Sequence, residues 1–234
     1  MLRGKKVMIF DMDGTLIDSV GVWNDVDRAL IRRLGGREER VQEQRDEALR
    51  RFSKSASPYL DYCAFLGEKY GSALSPEEIH TLRYEIAQDY LKNVVDYKPD
   101  ADVFLHRLKD AGYTLVIATT TRRKNVDVYR TQNVNMLAKA KIDELFTLVY
   151  TREDAKEIKP NPEIYLRVMS ELGAAPEECL VFEDSLIGIE AAKRAGIQAA
   201  AVYDAYSDGE REQINALADY QVTSYTQLLK ELWG

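Results

Sequence analysis

Cysteine is scarce in this 234-residue chain, where only Cys63 and Cys179 occur, far apart and with no CxxC pairing. That excludes a disulfide framework and a thiolate zinc cage, and it suits a reducing cytoplasm. Long apolar runs are also missing. Ahead of Asp11 the N-terminus holds just four consecutive apolar residues, Val7 to Phe10, too few for a signal-peptide core or a membrane span. Positive charge is the minority, with 32 Lys and Arg against 39 Asp and Glu and a formal charge of −7. The chain therefore has no general attraction to nucleic acid or to an anionic membrane, and an anionic substrate needs a local cationic site. His80 and His106, the only histidines, sit in charged helical stretches and read as surface residues rather than ligands. What is present is a 45% hydrophobic composition, enough for a sizeable core with a smaller module, and a monomer is expected.

Residues 5–10 read as a short buried strand stopped by the turn signal Asp13-Gly14-Thr15. Beyond Ser19 the texture changes. Val20, Trp23, Val26, Leu30 and Leu34 recur at helical spacing and stop at Gly35-Gly36. A charge-rich helix follows, then a break at SKSASP. Ser75-Pro76-Glu77-Glu78 opens another helix with a capping box and proline at its first position. No strand is evident until Pro99, after which helices and strands alternate through TLVIAT, TLVY, CLVF, QAAAVY and DYQVTS, with TQLLKELW as a last helix. This predicts an α/β fold: a doubly wound, Rossmann-like parallel sheet with helices on both faces, residues 1–17 and 96–234, interrupted by an all-helical insert, 18–95.

In such sheets ligands bind at the carboxyl ends of the strands. Asp11 and Asp13 end the first strand, Thr119 ends TLVIA, Glu183 and Asp184 end CLVF, and Lys159 lies in the IKPNP loop after TLVY. Each has a bland reading. DMDG could be only a turn, Thr119 a helix cap, Lys159 a solvated loop residue, and Glu183-Asp184-Ser185 a helix start with favourable dipole charges. Four such accidents at one sheet edge are a poor explanation, so the functional reading is taken.

Clustered carboxylates need a compensating cation, and oxygen ligands without histidine or thiolate select a hard ion, Mg²⁺, held by Asp11, Asp13, Glu183 and Asp184. A carboxylate beside a metal and a lysine can attack phosphorus and form an aspartyl phosphate. Asp11 is the candidate nucleophile and Asp13, swung back by the turn at Gly14, the general acid then base. Thr119, with Thr120 beside it, would bind phosphoryl oxygens, and Lys159 would neutralise the charge building on the phosphoryl group.

The residues in this order resemble the haloacid dehalogenase-like hydrolases over essentially the whole chain. DMDGT is similar to that family's first motif, Thr119 in VIATTT to its second, Lys159 in KPNPEIY to its third, and VFEDSLIGIEAAKRAG to its fourth. The resemblance implies Asp11 as nucleophile, Asp13 as acid/base with its backbone carbonyl on Mg²⁺, and Asp184 as metal ligand. It also implies that the insert is a cap that closes over the substrate. The members that dehalogenate lack the second aspartate, so Asp13 argues for phosphoryl chemistry.

Within the family the nearest look is to β-phosphoglucomutase-like sugar phosphatases. The expected activity is a Mg²⁺-dependent phosphatase of a small phosphorylated metabolite, a sugar phosphate. A mutase is the alternative, weakened because Trp23 stands where the mutase places a histidine. A phosphonatase would want a cap lysine, for which Lys54 is the nearest candidate; Lys54 and Ser55 in RFSKSASPY are also the candidate cap contacts to substrate. Arg122, Arg123 and Lys124 could lend positive potential near the phosphate or be a solvated helix face. A phospho-accepting receiver uses similar side chains, but the large insert and Asp13 speak against it.

Overall fold

In the computed structural model the described residues are 1–234 without Glu38, Ser53 and Lys54, and without the side chains of Asp46, Leu49 and Arg50. Lys54, a candidate cap contact, therefore lies outside the described residues. The chain forms two compact units, Met1–Val20 with Val95–Gly234, and Gly21–Val94.

The first unit begins with β1 (Val7–Phe10), every residue of which is buried. Such unbroken apolarity is what a central parallel strand covered on both faces requires. The chain then leaves for the helical unit, α1 (Val22–Arg33), α2 (Val41–Arg51), α3 (Pro58–Tyr70) and α4 (Pro76–Asn93). On α1, Val22, Val26, Leu30 and Ile31 form the buried stripe. The α4 start is the expected capping box, with Ser75 Oγ accepting from Glu78 N–H and Glu78 returning a carboxylate to Ser75 N–H. The sequence pattern resolved three of these four helices. Helix α3 escaped it because Leu60, Tyr62, Cys63, Phe65 and Leu66 surround most of the axis, so no polar face marks the period.

The returning chain builds α5 (Ala101–Asp110), β2 (Thr114–Ala118), α6 (Arg123–Thr131), α7 (Val134–Lys139), α8 (Ile142–Leu145) and β3 (Leu148–Tyr150). After these come α9 (Glu163–Leu172), β4 (Cys179–Glu183), α10 (Leu186–Arg194), β5 (Gln198–Val202), α11 (Arg211–Leu217), β6 (Tyr220–Val222) and α12 (Tyr225–Trp233). The one helix expected between β2 and β3 is three, because Asn133 recaps the chain by accepting from Met136 N–H at 2.7 Å. Helix α11 was not anticipated. It carries a single buried residue, Ile214, too little for a legible stripe.

The strands pair in parallel in the order β3-β2-β1-β4-β5-β6, the doubly wound arrangement with β1 at the switch point. Alternation along β1 sends Val7 and Ile9 into a core with Val181, Tyr165 and Ile189. Phe10 packs among aromatics, stacked on Phe182 at 4.6 Å with Phe104 edge-on to both. The two linkers to the helical unit run side by side within the sheet unit. Asp18 N–H donates to Asp96 O, Lys98 N–H donates to Leu16 O, and Ile17 bridges Tyr97. Among the described residues no helix is long and apolar enough to cross a membrane.

Candidate active site

Strand register sets the site. Phe10 lies opposite Ile117 on one side and Phe182 on the other, so the next row across the sheet is Ala118, Asp11 and Glu183. The Lys159 ammonium spans that row. It donates to Asp11 Oδ1 at 2.6 Å, to Glu183 Oε1 at 2.8 Å and to Ala118 O at 2.9 Å. All three of its protons are thereby used, and the side chain is buried. Beneath it the Tyr165 ring centroid is 5.3 Å away.

The following row brings Asp184. Its Oδ1 accepts from Thr15 Oγ1 at 2.7 Å, and Ser207 Oγ lies 3.4 Å from Oδ2. Thr15 is held in turn by the Tyr225 hydroxyl, which donates to its carbonyl at 3.2 Å. Gly14, at φ +78°, makes the turn after Asp13, and a Cβ there would come within 2.4 Å of Asp184 Oδ2. Both the backbone conformation and the close approach therefore demand glycine.

Asp11 and Asp184 share a problem of uncompensated charge. Burial, opposed by Lys159 and reinforced by Glu183, pushes Asp11 from an ordinary 3.8 up to about 7. Asp184 is raised well above the usual carboxylate range by burial and by the charges of Glu183 and Asp11. Lys159 is buried, which alone would lower it, yet Asp11 and Glu183 more than offset this and raise it. Three buried carboxylates thus face one ammonium, and Asp184 has no cationic partner among the described residues. An oxygen-only donor set with surplus negative charge fits a hard divalent cation.

Not every expected ligand is free to take one. Asp13 turns its carboxylate to two hydroxyls, Ser19 Oγ donating to Oδ1 and Thr121 Oγ1 to Oδ2. Glu183 Oε2 accepts from Asp184 N–H at 2.8 Å and from Ser185 N–H and Oγ at 2.9 Å each, while Oε1 belongs to Lys159. Among the described residues no three His, Cys, Asp or Glu side chains converge as a ready metal cage. The Asp13 carboxylate is therefore engaged elsewhere, which leaves its backbone carbonyl, the atom the family resemblance implies, to face a metal, and both oxygens of Glu183 are already bonded. Of the site's three buried carboxylates, Asp11 and Asp184, near enough for the charge of the first to raise the second, are the two left with an oxygen that no ammonium or backbone N–H among the described residues holds. Glu183 is a brace for Lys159, and Gly188 makes room for it, since a Cβ there would sit 1.7 Å from Oε1.

Thr119 is buried at the end of β2, its Oγ1 accepting from Thr121 N–H at 3.2 Å and so retaining a proton to donate. Thr120 beside it is exposed. Ser55, in the helical unit, is exposed and accepts from Ser57 N–H at 3.0 Å. Of the basic residues after Thr121, Arg123 is committed to Asp154, its Nη2 donating to both carboxylate oxygens at 2.7 Å. Sequence reading missed Thr15, Thr121, Tyr165, Gly188 and Tyr225 as parts of the site. Thr15, Thr121, Tyr165 and Gly188 lie within the four motifs, whereas Tyr225, 210 positions from its partner, carried no local signal.

The family described as haloacid dehalogenase-like hydrolase matches residues 8–202. The Rhodobacter capsulatus protein CbbY is 28% identical over 227 residues, covering 88% of each chain. A phosphorylated carbohydrates phosphatase of Thermotoga maritima is 27% identical and covers 82% of each. Among solved structures, that of a putative beta-phosphoglucomutase from Thermotoga maritima superposes with a TM-score of 0.74 at 26% identity, covering 97% of this chain and 99% of the other.

Proposed function

The chain belongs to the haloacid dehalogenase-like hydrolase family, and from that membership we propose that it is a phosphatase releasing inorganic phosphate from a small phosphorylated metabolite, a sugar phosphate. One observation carries the assignment of roles. Lys159 binds Oδ1 of Asp11, and among the described residues nothing donates to Oδ2. One oxygen of the buried carboxylate is thus held while the other is free to attack.

In the first half-reaction Asp11 Oδ2 forms a bond to phosphorus as the ester P–O bond breaks, and Asp13 gives a proton to the departing alkoxide. In the second, Asp13 takes a proton from the water that attacks phosphorus, and Asp11 leaves as a carboxylate. Before substrate binds, each Asp13 oxygen accepts one hydroxyl proton, from Ser19 and from Thr121. Lys159 offsets the charge shared between Asp11 and the phosphoryl oxygens, and the Thr119 hydroxyl donates to one of those oxygens. Asp11 and Asp184, with the backbone carbonyl of Asp13, would hold Mg²⁺. When bound, Mg²⁺ supplies the positive charge that this carboxylate-rich pocket and a phosphate dianion both require.

A mutase is the second reading, favoured by the structural likeness to a protein bearing that name. Against it, Trp23 occupies the place of the family's histidine and has its ring 5.2 Å from the Arg83 guanidinium, with no proton to relay. The test is phosphate release from a panel of phosphomonoesters with Mg²⁺ and with EDTA. Multiple turnover without a bisphosphate primer supports the phosphatase. Turnover only with the primer would replace it by the mutase, and a single stoichiometric phosphorylation without release would sink both.

A further inference from the structure

The segment that follows β5 is built more firmly than a connecting loop needs to be. Glu183 pairs with Ala201, so Asp184 stands level with Val202 and Tyr203 is one residue further along the same carboxyl edge, a strand spacing away. Lys98 clamps the start of the segment, donating to Tyr203 O at 3.0 Å and to the buried Asp204 Oδ2 at 2.7 Å. Asp204 Oδ1 accepts from Tyr206 N–H at 2.9 Å, and Arg211 donates to Asp204 O at 2.7 Å. The same Arg211 guanidinium lies 4.8 Å over the Tyr203 ring. Ser207, next along, reaches Asp184.

On this pinned segment two large aromatics are half exposed, Tyr203 at 46% with its hydroxyl donating to Asp208 Oδ2 at 3.3 Å, and Tyr206 at 49%. Single exposed aromatics are ordinary. Two of them three positions apart, on backbone fixed by a buried ion pair and on a segment whose Ser207 reaches the Asp184 carboxylate, set two rigid aromatic side chains at the carboxyl edge that carries the reaction centre. Tyrosine offers an aromatic surface at little entropic cost, because few side-chain torsions need be fixed. Arg211 occupies one side of the Tyr203 ring, so what remains is a place for one flat, weakly polar partner.

We propose that Tyr203 and Tyr206 form a specificity platform that takes the ring of the substrate's leaving group, selecting cyclic phosphate esters such as a pyranose phosphate over acyclic ones. The C–H face of a sugar ring is apolar and matches an aromatic face, whereas glycerol phosphate presents no such face. This rests on the phosphatase reading and adds the class of leaving group to it.

The experiment compares glucose 6-phosphate with glycerol 3-phosphate on the full chain and its Tyr206→Ala, Tyr203→Ala and Tyr206→Phe forms. Tyr206→Ala is expected to lower kcat/KM for the hexose ester about tenfold, mainly through KM, and to leave the glycerol ester within about twofold. Tyr206→Phe keeps the ring and restores the wild-type preference, which a merely structural role for the hydroxyl would not do. Equal losses on both esters, or no loss on the hexose ester, overturn the platform. Calorimetric titration of both esters into the Asp11→Asn protein separates this outcome from failure of the phosphatase reading. If the wild type hydrolyses neither ester, tighter hexose binding that disappears with Tyr206→Ala still upholds the platform, and indifferent binding rejects it.

Discussion

Both units of this protein bury charge, and they do so on opposite terms. In the helical unit Asp27, fully buried, meets two guanidinium groups, Arg83 Nε at 2.7 Å and Arg45 Nη1 at 3.1 Å. Burial works against the Arg83 charge, but Asp27 more than offsets it and raises Arg83 above its ordinary value. The Trp23 and Tyr59 rings, each 5.2 Å away, complete its surroundings. At the site in the sheet unit three buried carboxylates, Asp11, Glu183 and Asp184, are met by one ammonium, which bonds only the first two. The first arrangement has its negative charge answered twice over within the chain. The second is left short of positive charge, and that deficit is what a cation and a phosphorylated substrate can exploit.

The contrast is sharpest when one carboxylate is neutralised in each unit. Asp11→Asn is expected to lower phosphate release by at least ~10⁴-fold, as loss of a nucleophile does, while the metal-free protein is no less stable at pH 7. Residual turnover near the wild-type rate would remove Asp11 from its role. Lys159→Met comes next. It strands Asp11 and Glu183 without the ammonium that bonds both, at a cost of roughly 3–5 kcal/mol in EDTA, and Mg²⁺ should recover part of that loss. Chemical denaturation with and without Mg²⁺ reads both quantities, and an unchanged midpoint in EDTA would contradict the shortage of charge. Asp27→Asn should cost about 3 kcal/mol by the same reasoning, at the lower end because Arg45 retains some exposure. The folded fraction should release phosphate as before, and Mg²⁺ should not restore the lost stability.

The same contrast explains what could be read before the fold was known. The parallel sheet covered on both faces follows from runs such as Val7–Phe10 and Cys179–Phe182, because a strand buried on both faces must be apolar throughout. Asp11, Lys159 and Asp184 were legible because each interrupts or follows such a run at the edge where the fold collects ligands. The Asp27 pair was not, since an aspartate on an amphipathic helix looks solvated until Arg83, 56 residues away, is brought to it. Nor could sequence show that Asp13 faces Ser19 and Thr121, or that Glu183 is consumed by Lys159 and its own neighbours' N–H groups. Those depend on side-chain direction, and type and spacing do not fix direction. Helix α3, without a polar face, and α11, with one buried residue, mark the same limit for secondary structure.

The smallest effect tests the deficit without any gross loss of function. The folded chain holds a proton on Asp11 up to about pH 7, whereas an ordinary aspartate loses it near 3.8. Between those values the folded state binds more protons than the unfolded state, so stability must fall as pH rises through the window. Asp184, also raised, acts in the same direction. In EDTA the melting temperature of the wild type minus that of Asp11→Asn should therefore decline from pH 5 to pH 8, by about 2–4 °C for each kcal/mol involved. Mg²⁺ should flatten the decline, because a bound dication favours the ionised carboxylates. A difference that rises with pH in EDTA would mean that Lys159 already compensates Asp11 in full, and the two units would then bury charge on the same terms.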